Sequence, residues 1–303
     1  MTRITRRQFL QQTAITAGVL VGAPLLSAAE KVTGKRSISD LVPLGKTGVK
    51  YSRLGFGTGS DGGSVQQKLG QTEFTRLIRY AYDQGIRFFD TSGNYGSENG
   101  KIHTLLAEAL KGIDRSTYVI QTKIELPDKD KSSQVLDRFR KELNTDYFDS
   151  VLMHCILSAQ WPEELKRMQD DLSQAKDKKI VRMHGVSCHS LPALKRMPTA
   201  SWLDVALLRI NHKGKHMDGP TGNWDEPGDQ DSAVAEIKKI HAAGTGVIAM
   251  KLIANGDFKT PEERDASIQY VMGLDCVDVA VIGFKSVAEI DEAIKRINTY
   301  LNA

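Results

Sequence analysis

The sequence predicts an α/β fold, the closed (β/α)8 or TIM barrel, and two observations lead to that prediction. Apolar runs of strand length alternate eight times with segments whose apolar residues recur at helical spacing. Several runs are apolar without interruption, as in Val279–Gly283, which is typical of parallel strands covered on both faces. Eight alternations with short connections favour a closed barrel over a doubly wound open sheet, which usually has fewer strands.

The start of the chain is predicted to be an export signal that does not belong to the fold. Arg6 and Arg7 form a twin-arginine pair, residues 13–26 are uncharged, and residues 27–29 are small enough for cleavage. This order predicts a Tat signal peptide, with the Tat export machinery as a partner and the bacterial periplasm as the location. A basic amphipathic helix is the alternative. The uncharged run is shorter than the about 20 residues of a membrane span, so no membrane anchor is expected after cleavage.

The remaining chain is predicted to be one near-neutral domain. Residues 1–29 form the signal, residues 30–40 a linker, and residues 41–303 the barrel, close to the about 250 residues typical of that fold. The chain has 41 Lys and Arg against 37 Asp and Glu, and the signal contains three arginines and no acid, so 38 basic residues remain against 37 acidic ones. This balance gives no electrostatic reason to expect binding to nucleic acid or to a membrane surface.

The predicted strands follow in order along the barrel domain. They are residues 53–57, 87–90, 118–123, 150–154, 182–187, 205–211, 246–251 and 279–283. Residues 102–110 and 135–143 have apolar side chains at helical spacing, and Thr260 is followed by Pro and Glu at the positions of a capped helix start. The long connection of residues 213–231, which contains Trp224, predicts either a lid at the barrel mouth or a disordered loop.

Four polar residues fall at or just past the ends of successive predicted strands. Asp90 and Tyr95 follow the second strand, Lys123 ends the third, and His154 ends the fourth. Because the carboxyl ends of barrel strands converge on one mouth, these side chains are predicted to meet there. Taken singly, each has an ordinary interpretation: a turn residue for Asp90, a solvated strand end for Lys123, a partly buried aromatic residue for Tyr95 and a structural histidine for His154.

The segments around these four residues, with residues 44–49 and 54–58, resemble the aldo/keto reductase family from about Val42 onward. The resemblance implies a barrel whose floor is plugged by a hairpin of residues 42–52. It also implies NADP-dependent reduction of a small aldehyde or ketone to an alcohol, or the reverse. In that chemistry Tyr95 is the proton donor and Lys123 lowers its pKa. Asp90 would hold Lys123 in place, and His154 would donate a hydrogen bond to the substrate oxygen.

The resemblance further implies a set of cofactor-binding residues, with NADP favoured over NAD. They are Gly57, Thr58, Asp90, Ser187, Cys188, Lys251, Gly283, Lys285, Ser286 and Glu292. Lys285 and Ser286 match positions that hold the 2'-phosphate at a helix start near Val287. Ser286 and Glu289 can equally form a capping box, which would satisfy the same N–H groups internally.

Departures from the family pattern cluster around the predicted nicotinamide pocket. Cys188, Leu207 and Ile210 stand where family members place Asn, Gln and Tyr. Arg209 and Asn211 can supply replacement polar contacts or form an ordinary strand-end turn. These departures leave a second hypothesis open, a ligand-binding or regulatory barrel without turnover.

A metal-dependent hydrolase on the same fold would need a cluster of His or carboxylate ligands, and neither HxH nor HExxH occurs. His184 and His189 are predicted to be structural or solvated. Cys155, Cys188 and Cys276 are odd in number and lack CxxC spacing, so neither a metal site nor a disulfide framework is predicted.

Overall fold

The computed structural model describes residues 35–98, 100–125 and 131–303. The predicted signal peptide and all of the predicted linker before Lys35 lie outside the described residues. Arg36–Ala303 forms one compact unit. No helix in the described part of the chain is both long enough and apolar enough to cross a membrane.

Eight parallel strands close into a barrel, as predicted. A short antiparallel hairpin, β1 (Leu41–Pro43) and β2 (Lys50–Ser52), precedes them. The barrel strands are β3 (Leu54–Gly57), β4 (Phe88–Asp90), β5 (Val119–Ile124), β6 (Phe148–Ile156), β7 (Val181–Cys188), β8 (Val205–Arg209), β9 (Gly246–Met250) and β10 (Val279–Gly283). Each strand pairs with the next one in sequence, and β10 pairs with β3 to close the ring. All eight predicted strands are confirmed to within one or two residues at either end.

Helices surround the barrel. They are α1 (Ser64–Lys68), α2 (Gly70–Asp83), α3 (Lys101–Leu110), α4 (Ser132–Leu143), α5 (Trp161–Glu164), α6 (Lys166–Asp177), α7 (Leu191–Leu194), α8 (Gln230–Ala242), α9 (Pro261–Met272) and α10 (Val287–Tyr300). The predicted cap of α9 is confirmed, because the hydroxyl of Thr260 accepts from the N–H of Glu263 at 3.2 Å while the Glu263 carboxylate accepts from the N–H of Thr260 at 3.5 Å.

The alternation of side chains along the strands divides the core into two layers. An outer layer packs the strands against the helices. An inner layer fills the barrel with apolar side chains that include Phe88, Leu152 and Leu207. Residues two positions further along each strand therefore point into the barrel at its mouth, where polar groups replace the apolar ones.

The hairpin closes the floor of the barrel, in agreement with the prediction. Leu44, Val49 and Tyr51 belong to the inner apolar layer, and the Tyr51 hydroxyl donates to the Ser150 hydroxyl at 2.9 Å in the interior. Gly246, at the start of β9, makes room for this plug, since a Cβ there would lie 2.4 Å from Leu44. Apolar contact with the barrel interior therefore holds the hairpin in place.

Candidate active site

The structure brings Asp90, Lys123 and Tyr95 together at the mouth. The Lys123 ammonium donates to both carboxylate oxygens of Asp90, at 2.8 and 2.9 Å, and to the carbonyl of Thr91 at 2.8 Å. Its Nζ also lies 3.2 Å from the Tyr95 hydroxyl. Asp90 ends β4 and pairs in register with Gln121, so Lys123, two residues further along β5, points into the barrel on the same side.

Gly59 gives the Tyr95 ring the room that this arrangement needs. A Cβ at Gly59 would lie 2.5 Å from the ring and 2.6 Å from its hydroxyl oxygen. The absence of a side chain at this position therefore lets the phenol reach Lys123.

Burial dominates the protonation of this cluster. It raises the pKa of Tyr95 to about 12, although Lys123 pulls it down. Lys123 thus lowers the pKa of Tyr95 as expected, but the loss of solvent on burial outweighs this effect in the free protein. For Lys123 the balance is reversed, because burial lowers its pKa but Asp90 and Tyr95 raise it further, leaving it above the usual value. Tyr95 is thus a protonated phenol beside a permanent ammonium.

His154 completes the predicted set as a neutral imidazole. It ends the inward-facing row of β6, and its ring packs edge to face on Tyr95 with centroids 5.7 Å apart. Burial lowers the pKa of His154 to about 3, and the charges of Lys123 and Lys251 contribute. The Nδ1 atom lies 3.4 Å from the Ser92 hydroxyl oxygen, and the Ser92 hydroxyl itself donates to the Asn94 side-chain oxygen at 2.6 Å.

This low pKa predicts a pH-dependent contribution of His154 to stability. Between an unfolded pKa of about 6.5 and the folded pKa of about 3, the unfolded state binds a proton that the folded state does not. Stability from the neutral ring is therefore complete above pH 6.5 and falls as the pH is lowered, by up to about 1.4 kcal/mol per pH unit. Urea unfolding should show that His154→Gln costs about 2 kcal/mol less at pH 5 than at pH 7. An equal cost at both pH values would contradict a depressed pKa.

Sequence reasoning missed the part that His189 has in this site. His189 directly follows β7, and its ring lies 6.3 Å from the ring of His154. Its Nε2 is 3.7 Å from the Cys155 thiol, and burial lowers the pKa of His189 well below the usual value. The interpretation as a solvated histidine is therefore wrong. An irregular pairing of β6 with β7 between Met153 and Ile156 produces this contact, and the sequence carries no signal for it.

The side-chain directions along β8 alter the predicted nicotinamide pocket. Leu207 lies in the inner apolar layer, as the alternation requires, but Ile210 lies in the outer layer and does not face the mouth. Arg209 faces inward instead. Its Nε donates to Asp218 Oδ1 at 2.8 Å and its Nη2 to the carbonyl of His189 at 2.5 Å. Strict alternation from Leu207 is the sequence signal that identifies Arg209 as the inward residue.

Asn211 forms a strand-end turn, the second of the two roles predicted for it. Its side-chain amide donates to the carbonyl of Lys215 at 2.7 Å and to that of Lys251 at 3.3 Å. Its carbonyl oxygen accepts from the N–H of Lys213 at 3.2 Å. These bonds join the loop after β8 to the end of β9.

The long loop after β8 forms one wall of the mouth, which fits the predicted lid and not the predicted disorder. The ring of Trp224 stacks on His216 with centroids 4.1 Å apart, and the Lys251 ammonium lies 5.1 Å from the centre of the Trp224 ring. His216 in turn is 3.0 Å from the Asp257 carboxylate. Asp218, from the same loop, is fully buried against Arg209.

The predicted nicotinamide contacts are placed unequally. The hydroxyl of Ser187 is buried near the carboxyl end of β7 and has no hydrogen-bond partner among the described residues. It is therefore available to a ligand. Cys188 points the other way, into the outer layer, where its thiol donates to the carbonyl of Ser190 at 3.2 Å. The Thr58 hydroxyl donates to the carbonyl of Asp90 at 3.0 Å, which joins β3 to β4 below the mouth.

Gly57 and Gly283 face each other where β3 pairs with β10. A Cβ on Gly283 would lie only 2.0 Å from the Ser60 hydroxyl, so the backbone approaches that loop closely. Glu292 lies further along α10, where its carboxylate binds Arg264 and Arg296, each at 2.9 Å. That carboxylate is therefore part of a helix-to-helix ion-pair network.

The start of α10 has its N–H groups satisfied from within the chain. The Ser286 hydroxyl accepts from the N–H of Glu289 at 3.3 Å. The Glu289 carboxylate accepts from the N–H of Lys285 at 2.9 Å, and one oxygen lies 3.7 Å from the Lys285 ammonium. This resembles the predicted capping box, with one difference. The Glu289 carboxylate accepts from the N–H of Lys285, whereas in a capping box it would accept from the N–H of Ser286. A phosphate at this helix start would have to displace Glu289.

The described residues contain no group of three or more His, Cys, Asp or Glu side chains that could hold a metal ion. Cys155, Cys188 and Cys276 are all free thiols. The polar chemistry of the mouth therefore lies in the phenol, the ammonium groups and the imidazoles described above.

Comparison with known sequences gives one family. A sequence profile described as Aldo/keto reductase family matches residues 53–274. The L-galactose dehydrogenase of Arabidopsis thaliana is 24% identical over 296 residues, which cover 84% of this chain and 87% of that protein. The aldo-keto reductase YhdN of Bacillus subtilis is 28% identical over 159 residues, which cover 48% of this chain and 46% of that protein. The chain thus spans about half the length of two of the curated relatives that it matches.

Comparison with solved structures gives the same fold. An aldo-keto reductase from Klebsiella pneumoniae, in complex with NADPH, superposes with a TM-score of 0.63. The two sequences are 15% identical, and the superposition covers 86% of this chain and 89% of that one. This likeness concerns the barrel architecture.

Proposed function

The chain belongs to the aldo/keto reductase family, and from that premise we propose that it is an NADP-dependent oxidoreductase acting on a carbonyl or alcohol substrate, with Tyr95 as the general acid and base. The observation that supports this most directly is the buried array in which the Lys123 ammonium lies 3.2 Å from the Tyr95 hydroxyl and 2.8 Å from Asp90. A phenol beside an ammonium can give its proton to a substrate oxygen as negative charge develops on that oxygen.

Each member of the array has a distinct part in the proposed reaction. When bound, the nicotinamide supplies or accepts the hydride. Tyr95, protonated at neutral pH, gives its proton to the substrate oxygen, and Lys123 stabilises the phenolate that remains. Asp90 fixes the direction of the Lys123 ammonium with two hydrogen bonds. His154, neutral in this site, would donate a hydrogen bond to the same oxygen from a ring N–H.

The residues present fit a nicotinamide cofactor at one end of the site. The unpartnered hydroxyl of Ser187 is suited to the amide group of a nicotinamide, which offers both a donor and an acceptor. At the other end, Lys285 and Ser286 would hold the 2'-phosphate once Glu289 had moved aside. The proposed preference for NADP over NAD rests on the positive charge of Lys285.

The ligand-binding alternative is not favoured by this geometry. A protein that only binds a ligand has no need to bury a phenol, an ammonium and a carboxylate in mutual contact. Taking those charges out of water is costly, and a buried ion pair adds little stability over apolar residues of the same volume. The arrangement is better explained by chemistry.

A cofactor titration tests the proposal. We expect NADPH to change the tryptophan fluorescence of the mature protein at lower concentration than NADH, because Trp224 lines the mouth and Lys285 favours the extra phosphate. Lys285→Ala should weaken NADPH binding about tenfold with little effect on NADH. Lys295→Ala, an exposed lysine on α10, serves as the control. Equal affinity of wild type for both nucleotides would contradict the preference, and no binding of either would contradict the function.

We also propose that the Tat pathway exports the protein to the periplasm, on the strength of Arg6 and Arg7 and the segment that follows them. Replacing both arginines by lysine preserves the charge and removes the twin-arginine pair. We expect this variant to accumulate in the cytoplasm with its signal uncleaved, as judged by fractionation and immunoblotting. Replacing Arg36 by lysine, after the signal, should leave export unchanged. Efficient export of the double variant would contradict the proposal.

A further inference from the structure

The mouth carries three buried or half-buried cations, and two of them are paired with a carboxylate. Lys123 pairs with Asp90 and Arg209 pairs with Asp218, both at 2.8 Å. Lys251, directly after β9, is the third. Within residues 35–98, 100–125 and 131–303 no carboxylate lies within 4.0 Å of its ammonium, which donates instead to the neutral amide oxygen of Asn255 at 3.0 Å. One positive charge at the mouth is therefore not matched by a described acid.

The Lys251 ammonium lies at the mouth of the barrel, just past the end of β9. It lies 5.1 Å from the centre of the Trp224 ring, in the loop that walls the mouth. Its charge also contributes to the lowered pKa of His154, in β6, and of His189, directly after β7. The backbone φ of Lys251 is +62°, a left-handed value that a residue other than glycine adopts rarely and that is common at functional sites.

The surroundings of Lys251 make its charged form less favourable in the free protein than it is in water. Burial lowers the pKa of Lys251 to about 8, and the charges of Arg209 and Lys123 act in the same direction. Cys155 and Asp90 raise it, but by less than the lowering effects together. Glu125, exposed at the end of β5, is another acid at this rim. An anion beside the ammonium would stabilise its charged form and would itself be held.

We propose that Lys251 binds a carboxylate carried by the substrate, so that the preferred substrate is an aldehyde or ketone that is also an acid, such as an oxo acid. This inference rests on the proposed reductase function and names its substrate class. Tyr95 and His154 would take the carbonyl oxygen, while Lys251 would hold the carboxylate under the ring of Trp224.

The cofactor also carries anions, and the family resemblance places Lys251 among its contacts. The two sources can be separated, because a cofactor phosphate is common to every substrate whereas a carboxylate can be present or absent. A loss of phosphate binding would slow all substrates alike. A loss of carboxylate binding would slow only the acids.

Matched acid and ester substrates test the proposal. The probes are 4-oxobutanoate and 4-carboxybenzaldehyde, each compared with its methyl ester, with NADPH as the reductant. We expect wild type to prefer each acid over its ester in kcat/KM, and Lys251→Met to reduce this acid-to-ester ratio about tenfold or more. Lys251→Arg should restore much of the ratio. A wild-type ratio near one for both pairs, or an unchanged ratio in Lys251→Met, would overturn the proposal while leaving the reductase function intact.

Lys213 offers a matched control for Lys251. Its ammonium also lies over an aromatic ring, 5.7 Å from the centre of Phe258, but it is paired with Glu263 at 2.7 Å. Lys213→Met should therefore leave the acid-to-ester ratio unchanged. A fall equal to that of Lys251→Met would show a general effect of surface charge and would overturn the assignment.

A binding measurement tests the site independently of turnover. Benzoate and benzamide have the same shape and differ in charge, and Trp224 provides a fluorescence signal next to Lys251. We expect saturable quenching by benzoate but not by benzamide in wild type and Lys251→Arg, and no quenching by benzoate in Lys251→Met. If wild type reduces no aldehyde but binds benzoate in this way, the reductase function fails and the anion site stands. No difference between benzoate and benzamide would overturn the anion site.

Discussion

Replacing Tyr95 by phenylalanine should lower kcat for NADPH-dependent carbonyl reduction by about 10²- to 10⁴-fold, the usual contribution of a positioned general acid. The substitution removes only the hydroxyl, whose described contact is with the Lys123 ammonium at 3.2 Å. The Lys123–Asp90 pair and its bonds remain, so the site should keep its shape. Steady-state kinetics at saturating cofactor measure the loss, and a fluorescence titration shows whether the cofactor still binds.

Tyr80→Phe is the matched control for this variant. The Tyr80 hydroxyl donates to Asp291 at 2.6 Å between α2 and α10, at an exposed site outside the barrel. Loss of that hydroxyl should leave kcat unchanged. If Tyr95→Phe instead reduces carbonyls at a rate close to wild type, the proton comes from another group and the assignment of Tyr95 is wrong.

Replacing Asp90 by asparagine should destabilise the fold by about 3–5 kcal/mol, because it leaves the buried ammonium of Lys123 without its counter-charge. Lys123 is 1% exposed and depends on Asp90 for two of its hydrogen bonds. What remains is the carbonyl of Thr91 and the hydroxyl of Tyr95, neither of which carries a charge. Urea unfolding of the cofactor-free protein at pH 7 measures the difference.

Asp170→Asn provides the comparison with an exposed pair. Asp170 forms an ion pair with Lys166 on α6, and both side chains are more than half exposed, so its loss should cost no more than about 1 kcal/mol. The double variant Asp90→Asn, Lys123→Met should recover part of the stability, since it removes the uncompensated charge. Equal costs for Asp90→Asn and Asp170→Asn would show that the mouth is solvated.

Sequence reasoning could predict the barrel and the four central residues because both depend on local pattern. An uninterrupted apolar run such as Val279–Gly283 is typical of a strand covered on both faces, and eight strand-length runs that alternate with helical segments leave few architectures. Asp90, Lys123 and His154 were identifiable because a polar residue at the end of an apolar strand points into the mouth. The parallel register then determines that they meet.

The remaining features depend on packing that a linear pattern does not contain. His189 reaches His154 through an irregularity of β6 around Cys155, which takes a left-handed φ of +55°. The pKa of Tyr95 is set by how tightly the surrounding loops exclude water. At the start of α10, phosphate binding and self-capping use the same N–H groups, so the sequence alone leaves both possibilities open.

The side-chain direction of Ile210, in contrast, follows from a local rule. Its neighbour Leu207 belongs to the inner layer, and a period of two then places Arg209 inside and Ile210 outside. The family pattern therefore marks a departure at Ile210. The strand geometry, however, places the side chain of Arg209 at the mouth and that of Ile210 in the outer layer.

The plug formed by Leu44, Val49 and Tyr51 closes the end of the barrel opposite to Tyr95. A compound that reaches Tyr95 through the mouth passes the wall that the loop with Trp224 forms, and its product leaves through the same mouth. Side chains of that loop therefore affect the release of product as well as the binding of substrate.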